Sequence, residues 1–168
     1  MNTQVALFSL TLSILFFATA APGGSDQEPH PLIAGRELAW QTDFSKALAE
    51  AHRSQKPILL NFTGSDWCAW CHRLWDEIFQ TPAFSAYAAK ELVLVELDFP
   101  RKKPLPDTLK KQNHALAEKY RVTGYPTVVF LSHTGTELGR LAYMQGGPKT
   151  FIRELRRLAG GHSSQPRP

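Results

Sequence analysis

Two cysteines, Cys68 and Cys71, are the chain's whole complement, and only Ala69 and Trp70 separate them. At that spacing two sulfurs on one helical turn can meet, so the pair can cycle between dithiol and disulfide. They follow Pro57–Thr63 (PILLNFT), a continuous apolar run of strand length, and the turn formers Gly64, Ser65 and Asp66. A helical period begins at Cys68. A strand that turns into a helix puts the first cysteine at a helix amino terminus, where unpaired N–H groups and partial positive charge favour a thiolate. Cys68, at the exposed end, is then the attacking nucleophile. Cys71, one turn along and tucked beneath, resolves the mixed disulfide that results.

The neighbours admit several roles. Asp66 caps the helix, shapes the turn, or lends a carboxylate to the pair. His72 either places charge near a thiolate or points to solvent. Trp67 is expected to pack with partial exposure and Trp70 to lie on the surface, where the two offer an apolar platform to extended polypeptide. Trp40 and Trp75 belong in or near the core. Cys68-Ala69-Trp70-Cys71-His72 also fits C-x-x-C-H, the attachment sequence of c-type haem, with Met144 as a second axial ligand. A copper or zinc site built on the two cysteines and a histidine is a further reading. A closed zinc site wants four protein ligands, and His30, His52, His114, His133 and His162 are scattered without ligand spacing, so no metal site is assigned.

The elements that position the pair follow from periodicity. Arg36–Gln41 is a short strand, and Thr42 or Asp43 caps a helix to about Ser54. Thr81 and Pro82 open a helix as cap and first helical residue. Leu92–Phe99 (LVLVELDF) is a second central strand, and Thr108–Tyr120 is helical. Thr127–Leu131 and Glu137–Met144 form an antiparallel hairpin, and Pro148 starts the last helix. The order β-α-β-α-α-β-α-β-β-α predicts an α/β domain whose mixed central sheet carries helices on both faces.

Outside that body, Met1–Ala20 carries no charged side chain and ends in the small-x-small pattern Ala18-Thr19-Ala20. It is expected to be a signal peptide cleaved after Ala20, which makes the protein exported, periplasmic or secreted, with no stable membrane insertion afterwards. Residues 21–35 are then a flexible leader, 36–159 the folded domain and 160–168 a tail. The chain has 168 residues, 19 Lys+Arg against 15 Asp+Glu and a net charge of +4, enough for one domain and too little excess to point to nucleic acid. The basic stretch Arg101-Lys102-Lys103, with Lys110 and Lys111 beyond it, is expected to be a solvated face.

Phe62–Leu74 (FTGSDWCAWCHRL) and Val122–Leu131 (VTGYPTVVFL) together resemble the two signatures of the thioredoxin superfamily. The likeness spans about Arg36–Leu158. GYPT is similar to protein disulfide isomerase domains, and SDWCAWC to exported bacterial thioredoxin-like proteins. The resemblance implies a thioredoxin fold, a cis peptide bond before Pro126, and a substrate groove formed by Pro126 and the backbone of Tyr125. It implies a thiol–disulfide oxidoreductase, reducing or isomerising, that acts as a monomer on cysteine-containing exported proteins or a membrane redox partner, without a cofactor. Asn61 stands nearest to the buried carboxylate such proteins carry, and a neutral amide cannot accept a proton from Cys71. A redox-regulated binding module and a copper chaperone are the alternatives to an enzyme.

Overall fold

The run Pro57–Thr63 becomes strand β2 (Ile58–Thr63), and all six of its residues are buried. A computed structural model describes residues 38–161. The segments expected to be a signal peptide and a leader, with Arg36, Glu37 and the part of the expected tail beyond Gly161, lie outside the described residues. β2 sits at the centre of a five-stranded sheet of order β1-β3-β2-β4-β5. β1 (Trp40–Gln41) and β3 (Val93–Asp98) run parallel to β2's direction, β4 (Thr127–Leu131) is antiparallel to β2, and β5 (Glu137–Leu141) is antiparallel to β4.

Alternation along β2 divides the core into two layers. Ile58, Leu60 and Phe62 face α1 (Phe44–Ser54) and α4 (Asp107–Lys119), packing with Ala47, Ala51, Leu116 and Tyr120. Leu59 faces the other way, with Leu94, Val128 and Phe130. There it meets α2 (Ala69–Leu74), α3 (Pro82–Glu91) and α5 (Gly147–Gly161) through Leu74, Phe84 and Phe151. Each large side chain so buried contributes about 1.5–3 kcal/mol of transfer free energy.

Local chemistry sets the helix starts. The Asp43 carboxylate accepts the Lys46 N–H at 3.1 Å to cap α1, and the Thr81 hydroxyl accepts that of Phe84 at 3.3 Å to cap α3. Between α2 and α3 the chain runs on as a π-helical segment, Trp75–Phe79, which periodicity did not foretell. Its wider turn leaves Leu74, Ile78 and Phe79 all buried, with Trp75 half-buried against them.

Three boundaries differ from expectation by two residues or more. Among the described residues the first strand is Trp40–Gln41 alone, because Leu38 and Ala39 do not pair with β3. β5 stops at Leu141, and Tyr143 and Met144 turn instead onto the layer holding α2 and α5. The last helix runs to Gly161, two residues into the expected tail. Its seat on β5 needs Gly139, where a Cβ would stand 2.5 Å from Leu158 Cδ2.

Candidate active site

Cys68 is the cap of α2. Its backbone is extended (φ −93°, ψ 99°), and its Sγ accepts the Cys71 N–H at 3.2 Å. Its carbonyl accepts the N–H groups of Cys71 and His72 at 3.0 and 3.1 Å, so the helical ladder starts on this residue. Cys68 and Cys71 are joined as a disulfide with their Cα atoms 5.2 Å apart. In that state the two are almost equally covered, at 6 % and 4 % exposure, rather than one exposed and one tucked away. The N–H aimed at Cys68 Sγ is the kind of contact that holds negative charge on that sulfur once the disulfide opens.

Trp67 forms one wall. Its Nε1–H donates to the Phe99 carbonyl at 2.8 Å, and its ring meets Tyr125 edge-on at 5.6 Å. The Arg101 guanidinium lies 3.8 Å from the ring centroid. Gly64 makes this placement possible, since a Cβ there would collide with the Trp67 ring. Tyr125 also contacts Phe99 at 5.2 Å, and the Tyr125–Pro126 bond is cis, as the resemblance implies. Trp70 is 54 % exposed, the one large apolar side chain so open among the described residues.

Asp66 does not cap the helix, since Cys68 does. Its carboxylate accepts the N–H groups of Arg101, Lys102 and Lys103 at 3.0, 2.7 and 2.9 Å. Those bonds, the first from Arg101, hold its carboxyl down at about 2. The basic loop is thus exposed in its side chains but captured through its backbone. His72 turns back over the turn, where its Nε2–H donates to the Ser65 carbonyl at 2.8 Å. Ser65 in turn gives its N–H and hydroxyl to Asp98 at 2.9 and 2.6 Å. Trp67, Asp66 and Ser65 therefore all tie the cysteine turn to the end of β3.

Two features escaped sequence reasoning. Beside Trp70, the ring of Tyr143 lies at 5.3 Å and the Arg73 guanidinium at 5.4 Å. Glu77 accepts from Arg73 Nε and from the Tyr143 hydroxyl, both at 2.6 Å. The spacing of Arg73 and Glu77 was a readable helical pair, whereas Tyr143 arrives from 66 residues away without a local signal.

The second is Glu96. Asn61 is 3 % exposed, its Oδ1 has no hydrogen-bond partner among the described residues, and its register partner on β3 is Glu96. The two project from the same face, the one on which Leu59 and Leu94 pack with Leu74 of α2. Burial, and secondly the nearby Asp98, push the Glu96 carboxyl above its ordinary value, against the pull of Lys103. A raised carboxyl in the folded state means stability fully present below about pH 4.3 and lost as pH climbs through the folded value. Glu96→Gln, a mimic of the protonated acid, should therefore stabilise the protein at pH 8 but not at pH 4. Urea midpoints of both proteins at both pH values check this, and an equal shift at both would contradict it.

The thioredoxin-like domain family model matches residues 44–159, across both signatures and all the helices packed on the sheet. The chain belongs to the thioredoxin-like family. It is 36 % identical over 152 residues, 90 % of each chain, to the disulfide bond reductase DsbH of Chlamydia pneumoniae. A solved structure of DsbH oxidoreductase superimposes with TM-score 0.71 at 36 % identity, over 82 % of this chain and 94 % of that one. A solution structure of a thioredoxin from Thermus thermophilus gives 0.57 at 26 % identity, over 76 % and 93 %. This chain presents a cysteine pair at a strand-to-helix turn, which suits disulfide exchange.

The groups named for a haem or a metal are placed as follows. Both sulfurs are bonded to each other, the His72 Nε2 is engaged by Ser65, and Met144 packs against the apolar layer. Among the described residues no group of three or more His, Cys, Asp or Glu is placed to hold a metal ion.

Proposed function

We propose that the protein is an exported reductase of disulfides in other polypeptides, with Cys68 attacking and Cys71 resolving. The observation that carries the reading is the Cys71 N–H directed at Cys68 Sγ at the head of α2. The Cys68 thiolate attacks one sulfur of the substrate disulfide, forming a Cys68–substrate disulfide and expelling the other substrate sulfur as a thiolate. The Cys71 thiolate then attacks Cys68 Sγ and expels the second substrate thiolate. Two electrons and two protons pass to the substrate, and the protein is left with the Cys68–Cys71 disulfide. An external dithiol, such as a membrane redox partner, returns it to the reduced state.

Trp67, Trp70, Tyr125 and Pro126 guide the substrate chain past the disulfide, with the Tyr125 backbone pairing to it as a strand edge would. Asp66 and His72 hold the cysteine turn rather than carry protons. Export rests on the apolar Met1–Ala20 segment, and among the described residues no helix is long and apolar enough to cross a membrane. The direction of electron flow is supported by the 36 % likeness to a protein named for disulfide reduction.

A coupled test separates reductase from oxidase. The protein should accelerate insulin reduction by a dithiol, and its potential should lie near the roughly −270 mV of thioredoxin rather than the −120 mV of strong oxidants. A value close to the oxidant end, with no insulin reduction, would reverse the proposed direction.

A further inference from the structure

On the side of Trp67 formed by the loop after β3 lies a cavity of about 390 Å³. Phe99 and Leu105 give it apolar wall, and Arg101, Lys103, Lys110 and His114 line it with cationic or basic groups. Between Arg101 and Lys111 the chain holds five cations and one carboxylate, a local net of +4 that equals the net charge of the whole protein. Among the described residues none of Arg101, Lys103 and Lys110 forms an ion pair with a carboxylate. The carboxylate that does line the cavity, Asp98, already accepts both the N–H and the hydroxyl of Ser65. Asp66 draws the loop in through backbone N–H groups, which leaves the lysine and arginine side chains exposed.

The cavity is joined to the cysteine turn. Arg101 stacks on Trp67, the residue before Cys68, and Phe99 touches Tyr125, the residue before Pro126. We infer that this cavity binds an acidic side chain of the polypeptide whose disulfide is presented to Cys68. The apolar wall takes the methylene stem, and the cations that ring it take the carboxylate. The inference rests on the oxidoreductase reading and adds substrate selection to it: disulfides flanked by glutamate or aspartate are reduced in preference to others.

The test uses a set of disulfide-bridged peptides with glutamate two, three, four or five residues from the cysteine, each matched by a glutamine version. At low salt one or more glutamate peptides should have kcat/KM about fivefold above its glutamine partner. That preference should shrink towards unity in about 0.5 M salt. It should also vanish in the double variant Lys103→Gln, Lys110→Gln, with the glutamine peptides reduced at the wild-type rate. The Lys103 backbone N–H that Asp66 accepts at 2.9 Å is kept in the variant, as are those of Arg101 and Lys102, so the loop stays anchored.

A second readout needs no turnover. A cysteine-free glutamate peptide added to the oxidised protein should shift the amide resonances of Leu105 and His114, and the glutamine peptide should not. Turnover of all peptides with no glutamate preference, or a preference that survives in the double variant, would overturn the inference while leaving the oxidoreductase reading intact. If no peptide is turned over, that reading fails, and the resonances decide the cavity alone: shifts support it, and their absence refutes it.

Discussion

Replacing Cys68 with serine should lower the rate of insulin reduction by on the order of 10³-fold or more, because the hydroxyl is far less ionised and far less nucleophilic than the thiol. The fold should survive. Serine is among the best helix caps, and it stands where Cys68 Sγ already accepts the Cys71 N–H. The lost disulfide closes a loop so short that its stabilising effect is small. Thermal unfolding of the variant beside an insulin assay separates chemistry from folding. Turnover at a tenth of the wild-type rate or better would remove Cys68 from the nucleophile's role.

The second large effect concerns stability. Phe79→Ala should cost about 3–5 kcal/mol, the usual penalty for emptying a fully buried aromatic site. Phe79 is 1 % exposed at the end of the π-helical segment. Its ring meets Trp40 at 5.1 Å, Trp75 at 6.2 Å, Phe84 at 4.9 Å and Phe151 at 5.8 Å. One side chain thereby joins the edge strand β1, the helical run that begins at the cysteines, α3 and α5. A domain of this size has only about 5–15 kcal/mol in total, so the variant should approach instability at physiological temperature. Urea unfolding with an unchanged slope measures the cost. A loss below about 1 kcal/mol would mean the site collapses far better than its packing implies.

The parts of the molecule that were legible in the sequence are those decided by neighbours along the chain. The buried run of β2 shows as unbroken apolar residues, and the start of α2 shows as turn formers followed by a change of period. The hairpin of β4 and β5 was likewise local. The parts that were not legible depend on what the fold brings together. Asp66 looked like a cap because caps are local, yet its partners lie 35 to 37 residues on, in a loop that reaches it only once β3 pairs with β2. Glu96 is next to Asn61 solely through strand register. Tyr143 leaves the expected strand because Glu77 and Arg73 offer it a hydroxyl acceptor and a cation. The two-residue β1 was overestimated because pairing, not pattern, ends a strand at the sheet's edge.

The division of labour between the two sulfurs is the centre of the account, and single-cysteine variants test it directly, since each keeps one thiol. Insulin or a bridged peptide is mixed with Cys71→Ser or with Cys68→Ser, quenched with acid, and weighed by mass spectrometry. The account predicts that Cys71→Ser accumulates a one-to-one disulfide-linked adduct, held because nothing resolves it, while Cys68→Ser accumulates none on the same timescale. An adduct forming on Cys68→Ser as fast as on Cys71→Ser, or faster, would contradict it.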